Sequence, residues 1–160
     1  MNIGYYHSSI YGNGATIADE FKSQMDVKGV MVNIHNIREI KPKEVTPADL
    51  YLFSSPGRFG KPPRNMQNFL KKVNLPTGTK YAVLVTELCP NPDNNTERIP
   101  SEDKAGNCQQ VIPIINQLLG AKGLVKVAEG KVFVTGIKGP LENGWKKVVG
   151  EFVNQIPIPI

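Results

Sequence analysis

The sequence predicts an α/β domain in which a five-stranded parallel sheet carries helices on both faces. Short runs of β-branched and other apolar residues alternate along the chain with segments whose apolar residues recur at helical spacing. The strand-sized runs are almost continuously apolar, as is typical of parallel strands buried on both faces. The chain has 160 residues, of which 40% are hydrophobic and 21% charged, enough for one domain with its own core.

The first half of the chain contains three predicted strands and two predicted helices. The strands are Ile3–Tyr6, Val30–Ile34 and Leu50–Phe53, each too short to be a buried helix. Between the first two, apolar residues from Ile17 to Met25 recur at helical spacing. A second helix is predicted over Arg64–Val73, where apolar residues three and four positions apart form a stripe that can pack on a sheet.

A fourth strand, Tyr81–Val85, is followed by a polar segment that three prolines interrupt. We predict a long loop over Thr86–Gly106, and connections of this length are often functional. The next helix ends near Gly120, and Pro113 either starts it or kinks it.

The remaining chain completes the alternation. Leu124–Val127 and Val132–Thr135 are β-like and form either two strands or one interrupted strand. A last helical stripe contains Leu141, Trp145, Val148, Val149 and Phe152. The sequence shows no repeat or linker, and we expect one domain over residues 1–156 with a short tail at 157–160.

The net charge of +5 is unevenly distributed. No acidic residue occurs between Asp49 and Glu87, a stretch that contains Arg58, Lys61, Arg64, Lys71, Lys72 and Lys80. Such a surface is either only solvated or attracts an acidic partner or an anionic substrate. Nucleic acid is disfavoured, because the cations are not interleaved with aromatic residues.

The two cysteines, Cys89 and Cys108, indicate free thiols. They form no Cys-x-x-Cys pair and have no neighbouring pair of histidines, so neither a zinc site nor a redox dithiol is predicted. The first residues show neither the basic end nor the apolar stretch of a secretory signal peptide. The longest apolar runs have the length of a strand and are too short to cross a membrane as a helix. We therefore expect a cytoplasmic protein.

A candidate phosphate-binding turn follows the first strand. It consists of Ser9, Ile10, Tyr11, Gly12, Asn13 and Gly14. Glycines allow the backbone to approach an anion closely, and backbone N–H groups at a helix start and hydroxyls can bind it without a lysine. The Walker Gly-Lys-Ser/Thr pattern is absent, and the dinucleotide pattern is only half present. An ordinary capped strand-to-helix turn is the alternative.

A second motif follows the third strand. It consists of Pro56, Gly57, Arg58, Phe59 and Gly60, and Asn68-Phe69-Leu70 follows in the next helix. Together with Ser9-x-Tyr11-Gly12, this pattern resembles flavodoxin-like FMN proteins, with loops most similar to those of the NAD(P)H:quinone reductase branch. The resemblance implies a flavodoxin-like three-layer sandwich.

The resemblance also implies a function and a site. Residues Ser9 to Gly14 would hold the FMN phosphate, and Pro56 to Gly60 together with Thr86 and Glu87 would border the isoalloxazine. Because FMN carries electrons, the expected function is electron transfer between redox partners. If the basic surface takes part in docking, one of these partners is an acidic protein. The alternatives are an FMN-dependent NAD(P)H:quinone or nitro-compound reductase, and a binding module of this fold that has lost FMN.

The sequence departs from the family pattern at two places. Gly14 stands where the family usually has a threonine, although Thr16 could reach back with its hydroxyl. No Phe, Tyr or Trp occurs from Ala82 through Val132, where many flavodoxins supply a ring that stacks on the flavin. Only Phe59, Tyr11 or an aliphatic side chain such as Leu88 could cover it.

Several residues have structural interpretations. A core position is expected for Trp145 and a structural role for His7 and His35. Gly57 is the residue expected to tune the flavin, because its peptide has the freedom to turn toward a reduced ring.

Overall fold

Five strands form one parallel sheet in the computed structural model, which describes residues 1–9, 12–57, 61–88, 110–135 and 140–158. The strands are β1 (Asn2–His7), β2 (Met31–Asn36), β3 (Leu50–Pro56), β4 (Lys80–Leu88) and β5 (Val125–Val134). Their order is β2-β1-β3-β4-β5, and every neighbouring pair is parallel. This is the doubly wound order of the flavodoxin-like arrangement, and it confirms the predicted sheet.

Four α-helices cover the two faces of this sheet in the described part of the chain. They are α1 (Asn13–Val27), α2 (Arg64–Lys72), α3 (Val111–Gly120) and α4 (Trp145–Gln155). The apolar stripes of α1 and α4 pack on one face, and those of α2 and α3 pack on the other. The predicted three-layer architecture is therefore confirmed.

The alternation of side chains along β4 divides the core into these two halves. Tyr81, Val83 and Val85 pack with α2 and α3, whereas Ala82 and Leu84 pack with α1 and α4. All five are buried. Successive side chains of a strand point to opposite faces, so a nearly continuous apolar run is what a strand between two helical layers requires.

Two questions that the sequence left open are answered. Pro113 lies in the first turn of α3, where its missing N–H breaks no helical hydrogen bond. The two β-like runs after Gly120 belong to the single strand β5, whose pairing with β4 shifts between Tyr81 and Ala82 because Val127 is an extra residue.

Two predicted boundaries were wrong. Leu141 lies outside the last helix and instead forms an antiparallel bridge with Val134, since α4 begins only at Trp145. The predicted loop does not begin at Thr86, because β4 continues through Leu88. Residues 89–109, which hold the rest of that loop and both cysteines, lie outside the described residues.

The structural interpretations of two aromatic residues are consistent with the fold. The ring of His35 stacks on that of Tyr6 with centroids 5.0 Å apart. Trp145 is partly buried against the core that α1 and α4 form with the sheet.

Candidate functional site

The predicted site residues that the structure describes meet at the carboxyl end of the sheet. β1 lies beside β3, and β3 lies beside β4, with His7 opposite Ser54 and Pro56 opposite Thr86. The turn that leaves β1, the loop that leaves β3 and the last residues of β4 are therefore neighbours. In doubly wound sheets ligands bind at this end, at the point where the strand order reverses, which here lies between β1 and β3.

The turn from β1 into α1 is built around Gly12 and Ser9. Gly12 has a φ of 88°, a left-handed conformation that favours glycine, and its carbonyl accepts the first hydrogen bond of α1, from Thr16 N–H. The Ser9 Oγ accepts hydrogen bonds from the N–H groups of Gly12 (3.1 Å) and Gly14 (3.2 Å). Ser9 and two amides at the start of α1 thus converge on one point.

The electrostatics of this turn suit an anion. A helix N-terminus carries a partial positive charge, and the first turn of α1 has no acidic side chain to neutralise it. The space beside Gly12 is open, since a Cβ built there would have no atom within 4 Å. The hydroxyl of Thr16 donates to the Gly12 carbonyl (2.9 Å), so its proton is used within the helix and is not directed at an anion.

Two residues that the sequence analysis did not include in the site lie directly before the turn. The Ser8 side chain is fully buried, and its Oγ has no hydrogen-bond partner among the described residues. His7 is 5% exposed, and its Nδ1 accepts the Ser9 N–H at 3.3 Å. The only sequence signal was their position next to the hydroxyl-glycine run.

The loop after β3 begins with Pro56 and Gly57. The Gly57 N–H donates to the Thr86 carbonyl (2.8 Å), which continues the pairing of β3 with β4. The φ of Gly57 is not positive, so the backbone conformation does not by itself favour glycine. A Cβ built on Gly57 would lie 3.1 Å from Val111 Cγ2 and 3.5 Å from Glu87 Cγ. The structure thus supplies close packing as a reason for glycine. The peptide bond expected to turn toward the flavin joins Gly57 to Arg58. Arg58 lies outside the described residues, so this expectation stays a prediction.

Thr86 and Glu87 lie within β4 and are buried, with exposed fractions of 8% and 6%. The Glu87 Oε2 lies 3.5 Å from Lys131 Nζ on β5, whereas Oε1 is buried with no partner among the described residues. Burial raises the pKa of the Glu87 carboxyl, and the nearby Lys131 ammonium partly opposes that rise. A carboxyl with one free buried oxygen therefore stands beside Gly57.

The structure does not describe five of the predicted site residues, which are Ile10, Tyr11, Arg58, Phe59 and Gly60. Leu88, the aliphatic alternative for covering the flavin, belongs to β4, but the structure does not describe its side chain. The predicted aromatic cover of the flavin therefore stays a prediction.

Metal-ligating clusters and membrane-spanning helices are both absent from the described ranges. No group of three or more His, Cys, Asp or Glu residues that could hold a metal ion occurs there. None of the helices in those ranges combines the length and the hydropathy needed to cross a membrane.

Neither family models nor curated proteins match the sequence, whereas solved structures match the fold. Oxidised Flavodoxin 2 from Bacillus cereus superposes with a TM-score of 0.72 at 19% identity, with 97% of each chain covered. A flavodoxin from Streptococcus pneumoniae TIGR4 gives 0.69 at 17% identity, also with 97% of each chain covered. A mutant of flavodoxin from Pseudomonas aeruginosa gives 0.65 at 15%, covering 97% of this chain and 98% of that one.

These likenesses extend over nearly the whole chain, and they confirm the flavodoxin-like fold that the two loop motifs predicted. At such identities they concern the fold alone. The finer resemblance to the quinone reductase branch stays a prediction, as does the role of each site residue.

Proposed function

We propose that this protein binds one FMN non-covalently at the carboxyl end of its sheet and transfers electrons through it between redox partners. The observation that carries the proposal is the convergence of the Ser9 hydroxyl with the amides of Gly12 and Gly14 at the start of α1. This point lies at the switch between β1 and β3, where flavodoxins, which have this strand order, bind FMN.

The residues of the turn fit the phosphate of FMN. The left-handed Gly12 leaves open space at the helix start, so a phosphate can approach the backbone N–H groups without meeting a side chain. The Ser9 Oγ is an acceptor in both of its described hydrogen bonds, so its proton is available to a phosphate oxygen. The buried Ser8 Oγ is a further hydroxyl without a partner among the described residues.

The other two segments fit a flat ring system with polar edges. Pro56 and Gly57 would border one side of the isoalloxazine, and Thr86 with Glu87 would border its inner edge. FMN, when bound, supplies the electron-transfer chemistry, and the protein supplies orientation and electrostatics. Glu87 holds an acceptor oxygen away from water at this edge, and the Gly57 N–H bond to Thr86 fixes where the β3 loop starts.

The exposed cations near the site support an acidic redox partner. Lys61 and Arg64 are exposed and precede or begin α2, so they lie at the carboxyl end of the sheet, whereas Lys71 and Lys72 lie at the other end of the same helix. Complementary charge accelerates association and is screened by salt.

Reversing these charges tests the acidic partner. The double variant Lys61→Glu with Arg64→Glu should slow electron transfer to an acidic redox protein at low salt. The double variant Lys71→Glu with Lys72→Glu changes the charge equally and should slow it less.

The absorption spectrum of the purified protein tests the central proposal. Bands near ~370 and ~450 nm, retained through gel filtration, are expected if FMN is the working cofactor. A protein that stays colourless and does not take up added FMN would instead be a binding module of this fold.

Turnover with NAD(P)H separates a carrier from a reductase. The carrier should accept electrons from a reductase protein but should not oxidise NAD(P)H rapidly by itself. Rapid NAD(P)H oxidation with a quinone or a nitro compound as acceptor would favour the reductase alternative that the Pro56–Gly60 motif suggests.

A further inference from the structure

His7 ends β1 directly before the proposed phosphate turn, and its ring is tied to that turn. The Nδ1 of His7 accepts the Ser9 N–H (3.3 Å), and the Ser9 Oγ accepts the N–H groups of Gly12 and Gly14. One continuous chain of hydrogen bonds therefore runs from the imidazole to the start of α1. Because the hydrogen bond from the Ser9 N–H needs an acceptor at Nδ1, the neutral ring carries its proton at Nε2.

The surroundings of His7 favour the neutral form of the ring. It is 5% exposed, and burial lowers its pKa from the usual 6.5. Asp19 on α1 and Glu39 in the connection after β2 are the charged groups that act on it from the described residues, and both oppose this lowering. The neighbouring ring of Tyr5, whose centroid lies 6.4 Å away, carries no charge at neutral pH.

We propose that His7 is a positioning residue of the phosphate turn, whose neutral imidazole holds Ser9 in place, so that protonation of the ring weakens the binding of the flavin phosphate. This inference rests on the proposed function, since the ligand it concerns is the phosphate of FMN. The protonated ring would direct an N–H at the Ser9 N–H, and two donors cannot bond each other. Ser9 would then lose the contact that sets its backbone.

The positive charge of a protonated His7 would oppose the effect of losing its hydrogen bond with Ser9. An imidazolium near the turn would attract the phosphate, so the two effects of protonation have opposite signs. The positional effect should win, because the Ser9 hydroxyl would donate to the phosphate directly, whereas His7 acts only through Ser9. Loss of one such hydrogen bond weakens binding by about twofold to tenfold.

The test is a pH series of FMN dissociation constants from about pH 8 to about pH 5, the range in which histidine titrates. It compares the full-length wild type with His7→Asn and His7→Leu. Asparagine places an amide oxygen near the position of Nδ1 but does not titrate, whereas leucine provides no acceptor. His35→Asn is the matched control, because His35 is the other histidine of the chain and stacks on Tyr6.

The phosphate of FMN also titrates, with a second pKa of about 6, so all variants share that part of the profile. We expect His7→Asn to match the wild type at high pH and to bind FMN about twofold to tenfold more tightly than the wild type at the acid end. His7→Leu should bind weakly throughout, and His35→Asn should follow the wild-type profile. Riboflavin, which has no phosphate, should show none of these differences.

Two results would overturn the inference. Identical profiles for the wild type and His7→Asn would show that His7 does not act on the turn, and a wild type that gains affinity relative to His7→Asn at low pH would show that charge attraction dominates. Either result leaves FMN binding itself intact. Failure of the proposed function looks different, because the wild type would then bind FMN no better than riboflavin at any pH.

Discussion

Ser9 lies directly against Gly14: a Cβ built on Gly14 would be 2.9 Å from the Ser9 Cβ and 3.4 Å from its Oγ. The glycine that departs from the family pattern is therefore the residue that lets the Ser9 hydroxyl turn inward onto the start of α1. In this chain the serine and the glycine form one unit, and a threonine at position 14 is sterically incompatible with that placement of Ser9.

Introducing at position 14 the threonine that is usual in the proteins this sequence resembles should thus harm the site. Gly14→Thr is expected to cost roughly 1–3 kcal/mol of stability, the usual range for overpacking, and to weaken FMN binding because Ser9 is displaced. Urea unfolding and flavin fluorescence titration measure the two effects. Gly14→Ala, which adds only the Cβ, should reproduce most of the loss, and the double variant Ser9→Gly with Gly14→Thr should recover stability. Tighter FMN binding by Gly14→Thr would contradict this packing argument.

Gly12 and Gly29 provide a matched pair of left-handed glycines. Their φ values are 88° and 76°, and neither has an atom within 4 Å of a built Cβ. Valine at either position should cost roughly 1–3 kcal/mol of stability through backbone strain. Only Gly12→Val should also weaken FMN binding, because its side chain enters the space at the start of α1, and riboflavin binding should hardly change. If both valine variants lose FMN equally, the phosphate lies elsewhere.

Replacement of Gly57 should be tolerated better when Val111 becomes smaller. In Gly57→Ala the new methyl would lie 3.1 Å from Val111 Cγ2, so we expect a loss of about 1 kcal/mol that Val111→Ala relieves in the double variant. Gly120→Ala, where a Cβ meets nothing within 4 Å, should instead stabilise α3 slightly, because alanine is the better helix former. Urea unfolding of the wild type, the two single variants and the double variant gives the coupling, and additive losses would mean that the methyl is accommodated by another movement.

The elements that the sequence predicted best are those whose local pattern and tertiary environment agree. β1, β3 and the apolar stripe of α2 are buried as their periodicity requires, so their predicted and observed positions differ by at most three residues at each end. The two loop motifs lie close together at one end of the sheet, as predicted, because they follow strands that are neighbours.

The errors have a different physical origin. Thr86 and Glu87 are polar and were assigned to a loop, yet both are buried in β4, where the charge of Glu87 faces Lys131 from another strand. β5 looked interrupted because it is an edge strand with a bulge at Val127 and tolerates charged residues. The contact of His7 with Ser9 depends on the direction of a side chain, which periodicity does not reveal.

The buried carboxyl of Glu87 should make the stability of the protein depend on pH. Because burial raises its pKa in the folded state above the usual 4.5, the folded protein binds this proton more tightly than the unfolded chain. The stabilisation is complete below pH 4.5 and is lost as the pH rises through the folded-state pKa. Glu87→Gln stays neutral, so its free energy of unfolding should gain on that of the wild type as the pH rises from acid to neutral. Glu129→Gln is the control, since Glu129 forms an exposed pair with Lys126 (3.1 Å) and should shift stability by less than about 0.5 kcal/mol. Urea unfolding at several pH values measures both, and a constant difference between Glu87→Gln and the wild type would show that Lys131 fully compensates the buried charge.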